Sequence, residues 1–130
     1  MTAPWGFAVA GREAASFHLV VHGECWLEVD GVEEKYHLSS GDLVIVPSGA
    51  PHRVRDDPAS KVEWLEDILA SHPEVDGRLA HGGDGRLTEI VCGGFEIEPG
   101  QAMRVLAALP SVVLVQGSSG RPPSWVTSIL

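Results

Sequence analysis

The sequence is short of several features that mark particular classes of protein. It has two cysteines, Cys25 and Cys92, in 130 residues, too few for a disulfide scaffold and too far apart for a zinc ribbon. Basic residues number 9 against 18 acidic ones and form no cluster, so we expect no direct binding to nucleic acid. No apolar run approaches the roughly 18 residues of a membrane span, and the N-terminus does not resemble a signal peptide. These absences predict a cytoplasmic protein without membrane contact.

The composition is that of a folded domain. Hydrophobic residues make up 44% of the chain and charged residues 21%, which is typical of a globular protein and not of a disordered one. A chain of 130 residues has room for one hydrophobic core but not for two of ordinary size. We therefore expect a single domain over residues 1–130.

Short alternating runs between glycine-rich turns dominate the sequence. In CWLEVDG, the apolar Cys25, Leu27 and Val29 alternate with more polar neighbours, which is the period of a strand with one buried face. The pair Asp30-Gly31 predicts a hairpin between this strand and a following one at 33–38. The other strands are predicted at 16–22, 42–46, 52–55, 87–97 and 112–116. Many short strands at this spacing indicate an all-β sandwich or barrel.

Two segments have helical rather than strand-like patterns. Ser60 followed by Glu63 forms a capping-box pattern ahead of apolar residues at helical spacing, which predicts a short helix over Ala59–Ser71. A second short helix is predicted at about Gln101–Leu109, ending before Pro110.

The stretch GDLVIVPSGAPH, from Gly41 to His52, carries the most specific pattern: glycine, five residues, proline, one residue, glycine, two residues, histidine. Gly41 permits a tight turn into a strand, Pro47 ends that strand, and Gly49 allows a backbone conformation that directs His52 inward. This pattern resembles the second conserved motif of the cupins. The resemblance implies the cupin double-stranded β-helix, a jelly-roll barrel.

The first cupin motif is only partly matched. It normally supplies two histidines and a glutamate ahead of a glycine, and Gly23 is the corresponding glycine here. Counting back seven residues places Ser16 where the glutamate would stand, and no histidine precedes His18. Of the ligands that the resemblance implies, only His52 remains. The departure favours a protein that is not an enzyme.

Five segments in order resemble the N-terminal cupin domain of AraC-type transcriptional regulators. They are PWGF, FHLVVHGECWLEVDG, GDLVIVPSGAPHRV, EIVCGGFEIE and LAALPSVVLV. The resemblance implies a domain that senses a small-molecule effector and contributes to a homodimer. It also implies a linker and helix-turn-helix DNA-binding domain, which we expect to lie outside this chain.

The candidate site is the interior of the predicted barrel. By strand alternation His18 and His52 point inward, and the expected ligand pocket is lined by His18, Val20, Leu27, His52 and Val54. Such a pocket suits a small, partly apolar effector with one or two polar groups.

The same interior contains candidate metal ligands. Imidazoles and thiols are ligands that Zn²⁺ prefers, so His18, Cys25, His52 and Cys92 form a candidate zinc site. Cys92 is ambiguous, because alternation with Phe95 and Ile97 sends it outward unless Gly93-Gly94 forms a bulge. The four side chains equally fit a polar patch that contacts an effector without metal, or a structural core.

Three functions are consistent with these patterns. The first is an effector-sensing, dimerising regulatory cupin. The second is a small metal-dependent cupin enzyme of the dioxygenase or isomerase type, which would need three or four inward ligands. The third is a structural or binding cupin without effector. No nucleophile, base and orienting group are recognisable in the sequence, so no catalytic residue is predicted.

Overall fold

The computed structural model describes residues 1–11, 14–72, 81–95, 108–118 and 121. In this part of the chain most residues with regular structure are in strands, and one segment is an α-helix. The elements in chain order are β1 (Gly6–Val9), β2 (Ala15–His22), β3 (Glu24–Val29), β4 (Lys35–Ser39), β5 (Leu43–Val46), β6 (His52–Arg55), β7 (Glu63–Trp64), α1 (Leu65–Ser71), β8 (Glu89–Phe95) and β9 (Val113–Val115). The all-β prediction is confirmed.

The strands form two sheets. The first has five strands in the order β4-β3-β6-β1-β7, and the second has four in the order β8-β2-β5-β9. All pairs are antiparallel apart from β1 with β7. The chain passes from the first sheet to the second between β1 and β2 and returns at β3, so β2 lies in a different sheet from both of its sequence neighbours.

The main hydrophobic core contains residues from both sheets. Strand β3 shows why: Cys25, Leu27 and Val29 are buried, whereas the alternate residues are partly or fully exposed. The buried members of the cluster are Trp5, Phe7, Val20, Cys25, Leu27, Val29, Leu38, Val44, Val46, Val54 and Ile68. The period of two that predicts these strands therefore also selects their core faces.

The hairpin predicted at Asp30-Gly31 is present. Strands β3 and β4 pair antiparallel with Leu27 opposite Tyr36, and Gly31 adopts a φ of 83°, a conformation that glycine takes without steric cost. The second strand begins at Lys35, two residues later than expected. The turn residues therefore predict the position of the hairpin more accurately than they predict where its second strand begins.

Strand β2 carries apolar residues on its outer face as well as the core residue Val20 on its inner face. Leu19 and Leu43 are each 5% exposed and form a second cluster, with Phe17, Ile45 and Val115 packed against them. Two further apolar side chains of the same sheet remain exposed, Val21 at 48% and Val91 at 43%.

The first predicted helix is shorter than expected. Helix α1 begins at Leu65, because Glu63 and Trp64 pair in parallel with Phe7 and Ala8 of β1. The expected capping box is wrong: Ser60 lies in a turn where its amide donates to the Asp57 carbonyl, and the N-cap is Trp64, without a side-chain cap. Tertiary pairing with β1 has overridden a local signal. The second predicted helix falls mainly on residues 101–107, outside the described part.

Candidate functional site

The turn that precedes His52 has the geometry that its motif predicts. Gly41 and Gly49 adopt φ angles of 93° and 70°, a region that residues with a side chain rarely enter. The Gly41 amide donates to the Val20 carbonyl at 2.7 Å, and the Gly49 amide donates to the Val46 carbonyl at 3.1 Å. These bonds fix the entry and the exit of β5, after which the chain turns and places His52 at the start of β6.

His52 and His18 come from opposite sheets and meet in the interior. His52 is in the first sheet, paired with Val9 and Val29, and is 1% exposed. His18 is in the second sheet, paired with Val44 and Cys92, and is 2% exposed. The distance between their Nε2 atoms is 2.8 Å, which is a hydrogen bond across the two sheets. The sequence predicted that both imidazoles point inward, and they do.

The hydrogen bonds of these two histidines extend to a thiol at one end and a carbonyl at the other. His18 Nδ1 lies 3.0 Å from Cys92 Sγ, and His52 Nδ1 lies 2.9 Å from the Ala50 carbonyl oxygen. The chain of groups is therefore Cys92, His18, His52 and Ala50. We call it the thiol–imidazole chain.

The proton positions in this chain follow from its carbonyl end. A carbonyl accepts only, so His52 Nδ1 carries a hydrogen, and Nε2 of a neutral His52 is an acceptor. His18 Nε2 must then donate to His52, which leaves Nδ1 of a neutral His18 as an acceptor for the Cys92 thiol. All hydrogens in the neutral chain point in one direction, from Cys92 toward Ala50.

Cys92, which the sequence left ambiguous, faces the same side of its sheet as His18. The two residues are directly opposite each other in the β2–β8 pairing, and directly opposed residues of antiparallel strands share a face. Solvent reaches Cys92, although protein fills most of the space around its sulphur. Burial raises the pKa of the Cys92 thiol to about 12, so it is protonated at neutral pH.

Cys25 is in a different environment. It lies on β3 of the first sheet and is completely buried in the core. Burial is the main reason that the pKa of its thiol rises to about 12, and the neighbouring Cys92 thiol and the carboxylates of Asp42 and Glu24 contribute further. The described hydrogen bonds do not include Cys25 in the thiol–imidazole chain, so the two cysteines have different surroundings.

The apolar residues predicted to line the pocket are all in the core. Val20, Leu27 and Val54 are fully buried members of the main cluster. Their packing is therefore established, whereas their contact with an effector stays a prediction.

Two aromatic residues next to the histidines were not among the predicted site residues. Phe7 lies 5.9 Å from His18 between ring centroids, and Trp5 stacks on Phe7 at 6.0 Å. The Trp5 indole Nε1 is buried and has no hydrogen-bond partner among the described residues. The alternation of Trp5 and Phe7 around Gly6 is a strand signal that points to this shared face.

The usual cupin metal triad does not fit these residues. Ser16, at the position of the motif glutamate, is buried and supplies no carboxylate. His18 directs one ring nitrogen at Cys92 and the other at His52, and a single ion can bind only one of the two nitrogens. Within the described ranges, no three His, Cys, Asp or Glu residues are grouped so as to hold a metal ion. Zinc binding by His18, Cys25, His52 and Cys92 stays a prediction.

Comparisons with known proteins agree with the sequence motif. The cupin family model matches residues 1–130. A protein of Streptomyces lividans named as an AraC-like transcription regulator is 27% identical over 111 residues, which is 85% of this chain and 36% of the relative. The chain thus spans about a third of the length of that curated relative. No solved structure matches the chain.

The predicted resemblance to the cupin domain of AraC-type regulators is confirmed by these matches. In the described part of the chain, no helix has the length and apolarity needed to cross a bilayer. The glycines and proline of the motif, the inward His52 and the match along the full length lead to one assignment: the chain belongs to the cupin family.

Proposed function

We propose that this chain is the effector-sensing and dimerising cupin domain of an AraC-like transcription regulator that acts in the cytoplasm. The supporting observation is the thiol–imidazole chain, a set of polar groups enclosed by an apolar core and reached by solvent at Cys92. Buried polar groups in such a setting are suited to orient a small ligand. The two sheets are proposed to be the two halves of a jelly-roll barrel around this site.

The effector class follows from the groups available. The neighbourhood of His18 and His52 is apolar and aromatic, with Val20 in the same core and Phe7 against the His18 ring. The buried Trp5 Nε1, which has no hydrogen-bond partner among the described residues, adds one more donor in the ring that stacks on Phe7. The site suits a small, partly apolar molecule with one or two polar groups, and Trp5 would bind one of its acceptors.

A homodimer is supported by the second sheet. Leu19 and Val91 lie on its outer face, because they are directly opposite each other and each is next in sequence to one of the inward-facing residues His18 and Cys92. Val91 is exposed there, and Val21, at the neighbouring irregularity in β2, is exposed as well. Exposed apolar side chains on one sheet face are typical of a surface that meets a partner, and we propose a second copy as that partner.

DNA binding is assigned to a separate domain. The chain carries a formal charge of −9, which repels a phosphate backbone. The S. lividans relative has nearly two-thirds of its length outside the match, which leaves room for a DNA-binding unit in that protein. We propose that the cupin domain controls such a unit through effector binding and dimerisation.

Effector sensing is tested by a thermal-shift screen of small compounds that carry one or two polar groups. A true effector raises the melting temperature of the wild-type chain and of the control His22→Ala, since His22 is exposed. It does not stabilise His52→Ala, which lacks the central imidazole. Compounds that stabilise the His52→Ala variant as much as the wild type, or a screen without any stabilising compound, would contradict the proposal.

The metal-dependent enzyme is less well supported. That function needs several ligands around one ion, and the glutamate position is occupied by Ser16. The third candidate function, a structural cupin without an effector, would give no role to the Cys92 thiol or to the His18 and His52 imidazoles bonded in sequence to it.

A further inference from the structure

We propose that Cys92 is a site of covalent addition by soft electrophiles of the α,β-unsaturated carbonyl class, with His18 as the base and His52 as a positioning residue. The proposal rests on the proposed function in one respect, that such an electrophile would be the effector. It assigns a reactive role to the thiol–imidazole chain that the sequence alone did not reveal.

The geometry is that of an activated nucleophile. The thiol and the base are 3.0 Å apart, and the base is held at 2.8 Å by a second imidazole. That second imidazole is in turn fixed by a backbone carbonyl at 2.9 Å. A nucleophile within hydrogen-bond reach of a base, with the base oriented by a third group, is the arrangement that nucleophilic sites on unrelated folds share.

The direction of the hydrogens makes His18 ready to accept a proton. In the neutral chain the acceptor atom of His18 is Nδ1, the atom that faces Cys92. After proton transfer both His18 nitrogens are donors, one toward the sulphur and one toward His52 Nε2, which is already an acceptor. The imidazolium therefore forms without any side chain having to rotate, and no donor loses its partner.

Access distinguishes Cys92 from the other groups. Solvent reaches Cys92, whereas His18 and His52 are 2% and 1% exposed and Cys25 is completely buried. Of the two cysteines, Cys92 is therefore the expected site of modification, although protein encloses most of its sulphur. Gly93, which follows Cys92, has no room for a side chain, because a Cβ there would lie 2.6 Å from the Phe17 ring.

The resting thiol is protonated and needs the base. Because burial raises the pKa of Cys92 to about 12, the thiolate is scarce at neutral pH, and the thiolate is the nucleophilic form. A thiol in this state is protected against chance modification. Transfer of its proton to His18 during the reaction supplies the nucleophilic sulphur to a molecule that lies beside the chain.

The reaction balances without a further reagent. A sulphur electron pair forms the C–S bond to the β-carbon, the C=C π electrons move to the carbonyl oxygen as an enolate, and the thiol proton passes to His18 Nδ1. The imidazolium then returns that proton to the α-carbon. The product is a saturated thioether, His18 is neutral again, and there is no net oxidation or reduction.

N-ethylmaleimide, which belongs to this class, is the probe for the test. Intact-mass and peptide mapping of the native wild-type chain at pH 7 should show one adduct, on Cys92, with Cys25 unmodified. His18→Gln should lower the rate constant about tenfold or more, because a positioned base contributes at least this much. His52→Gln should lower it less, and the exposed control His22→Gln should leave it unchanged.

The pH dependence of the wild-type rate keeps the test valid if a variant does not fold. The titratable groups close to the thiol among the described residues are His18, His52 and Cys25. With His18 as the base, the protonated thiol reacts directly, and the rate rises by much less than tenfold per pH unit between pH 7 and 9. If His18 is not the base, the rate is proportional to the concentration of the Cys92 thiolate and rises about tenfold per pH unit from pH 7 to 9. That steady rise, or modification of Cys25 as fast as Cys92, would overturn the proposal.

Three outcomes separate this proposal from the proposed function. An adduct that forms by the predicted route and also changes the melting temperature or the dimer supports both. An adduct that forms by this route but changes neither supports the reactive site and contradicts effector sensing through it. A compound that stabilises the chain reversibly, with no adduct on Cys92, supports effector sensing and overturns the covalent site. Zinc bound at one equivalent that blocks the thiol would also overturn it, in favour of a metal site.

Discussion

At the scale of single residues, the buried thiol of Cys25 links stability to pH. Its pKa is about 12 in the folded chain and 9.0 for an unperturbed thiol. Between these values the unfolded chain loses the proton and the folded chain keeps it, so rising pH favours unfolding. The free energy of unfolding should fall by up to about 1.4 kcal/mol per pH unit above pH 9 from this group.

Urea unfolding at pH 8 and pH 10 measures this effect. Cys25→Ala should be less stable at both values because of the lost packing, but its loss of stability between pH 8 and pH 10 should be smaller than that of the wild type. Equal losses in the two proteins would show that Cys25 does not titrate as its burial requires.

Two single residues, His52 and Cys92, show which features of the site the sequence could predict and which it could not. His52 was located correctly because Gly41, Pro47 and Gly49 constrain the backbone before it, and those constraints are visible in the sequence. Cys92 was ambiguous because its side depends on the register between β8 and β2, a pairing of residues 74 positions apart. Alternation within one segment contains no information about that register.

At the scale of elements, an ion pair joins β3, β6 and the loop before β7. Arg55 donates to Glu28 Oε1 through Nε at 2.9 Å and Nη2 at 2.6 Å, and through Nη1 to the Ser60 carbonyl at 2.9 Å. The two side chains are 16% and 15% exposed, so solvent screens the pair only weakly. Removing Glu28 leaves a mostly buried guanidinium with fewer acceptors.

Glu28→Ala should therefore lower the free energy of unfolding by about 2 kcal/mol. Its matched control on the same strand is Glu24→Ala, because Glu24 is 58% exposed and its contact with His37 is long, at 3.5 Å. The control should change stability by less than about 0.5 kcal/mol. Chemical denaturation measures the free energy of unfolding of both variants. Similar losses of stability would mean that burial of the Arg55–Glu28 pair does not increase its contribution to stability.

Element types were more predictable than element ends. The strands followed from alternation and turn residues, both of which are local. Helix α1 was predicted over 59–71 and begins at Leu65, because Glu63 and Trp64 pair with β1, which is more than fifty residues away in the sequence. A capping pattern reflects only the local sequence. The start of helix α1 is set instead by the pairing of the preceding residues with β1.

At the scale of the whole molecule, the outer face of the second sheet is the proposed dimer surface. Val91→Glu places a charge among apolar side chains there, next to Leu19. A charge buried without a partner is costly, so this variant should be monomeric at concentrations where the wild type is a dimer. The control is Leu69→Glu, which changes a similarly exposed apolar residue on α1.

Light scattering over a range of micromolar concentrations measures the oligomeric state of the three proteins. The wild type and Leu69→Glu should give the same mass, with Val91→Glu giving half of it. A monomeric wild type, or a Val91→Glu variant that still dimerises, would contradict the proposed surface.

The pairing of β2 with β8 has a consequence for synthesis of the protein on the ribosome. Strand β2 is complete at His22, but one of its two neighbours begins only at Glu89, and the amino group of Met1 is itself bound to the Thr88 carbonyl at 3.0 Å. While the residues in between are being translated, the nascent chain therefore presents an apolar strand with one edge unpaired. Such an edge attracts other unpaired strands. Pairing of β2 with β8 must wait until residue 95 has been made, and β9 joins the same sheet later still, so a chaperone that shields the nascent segment would act in this interval.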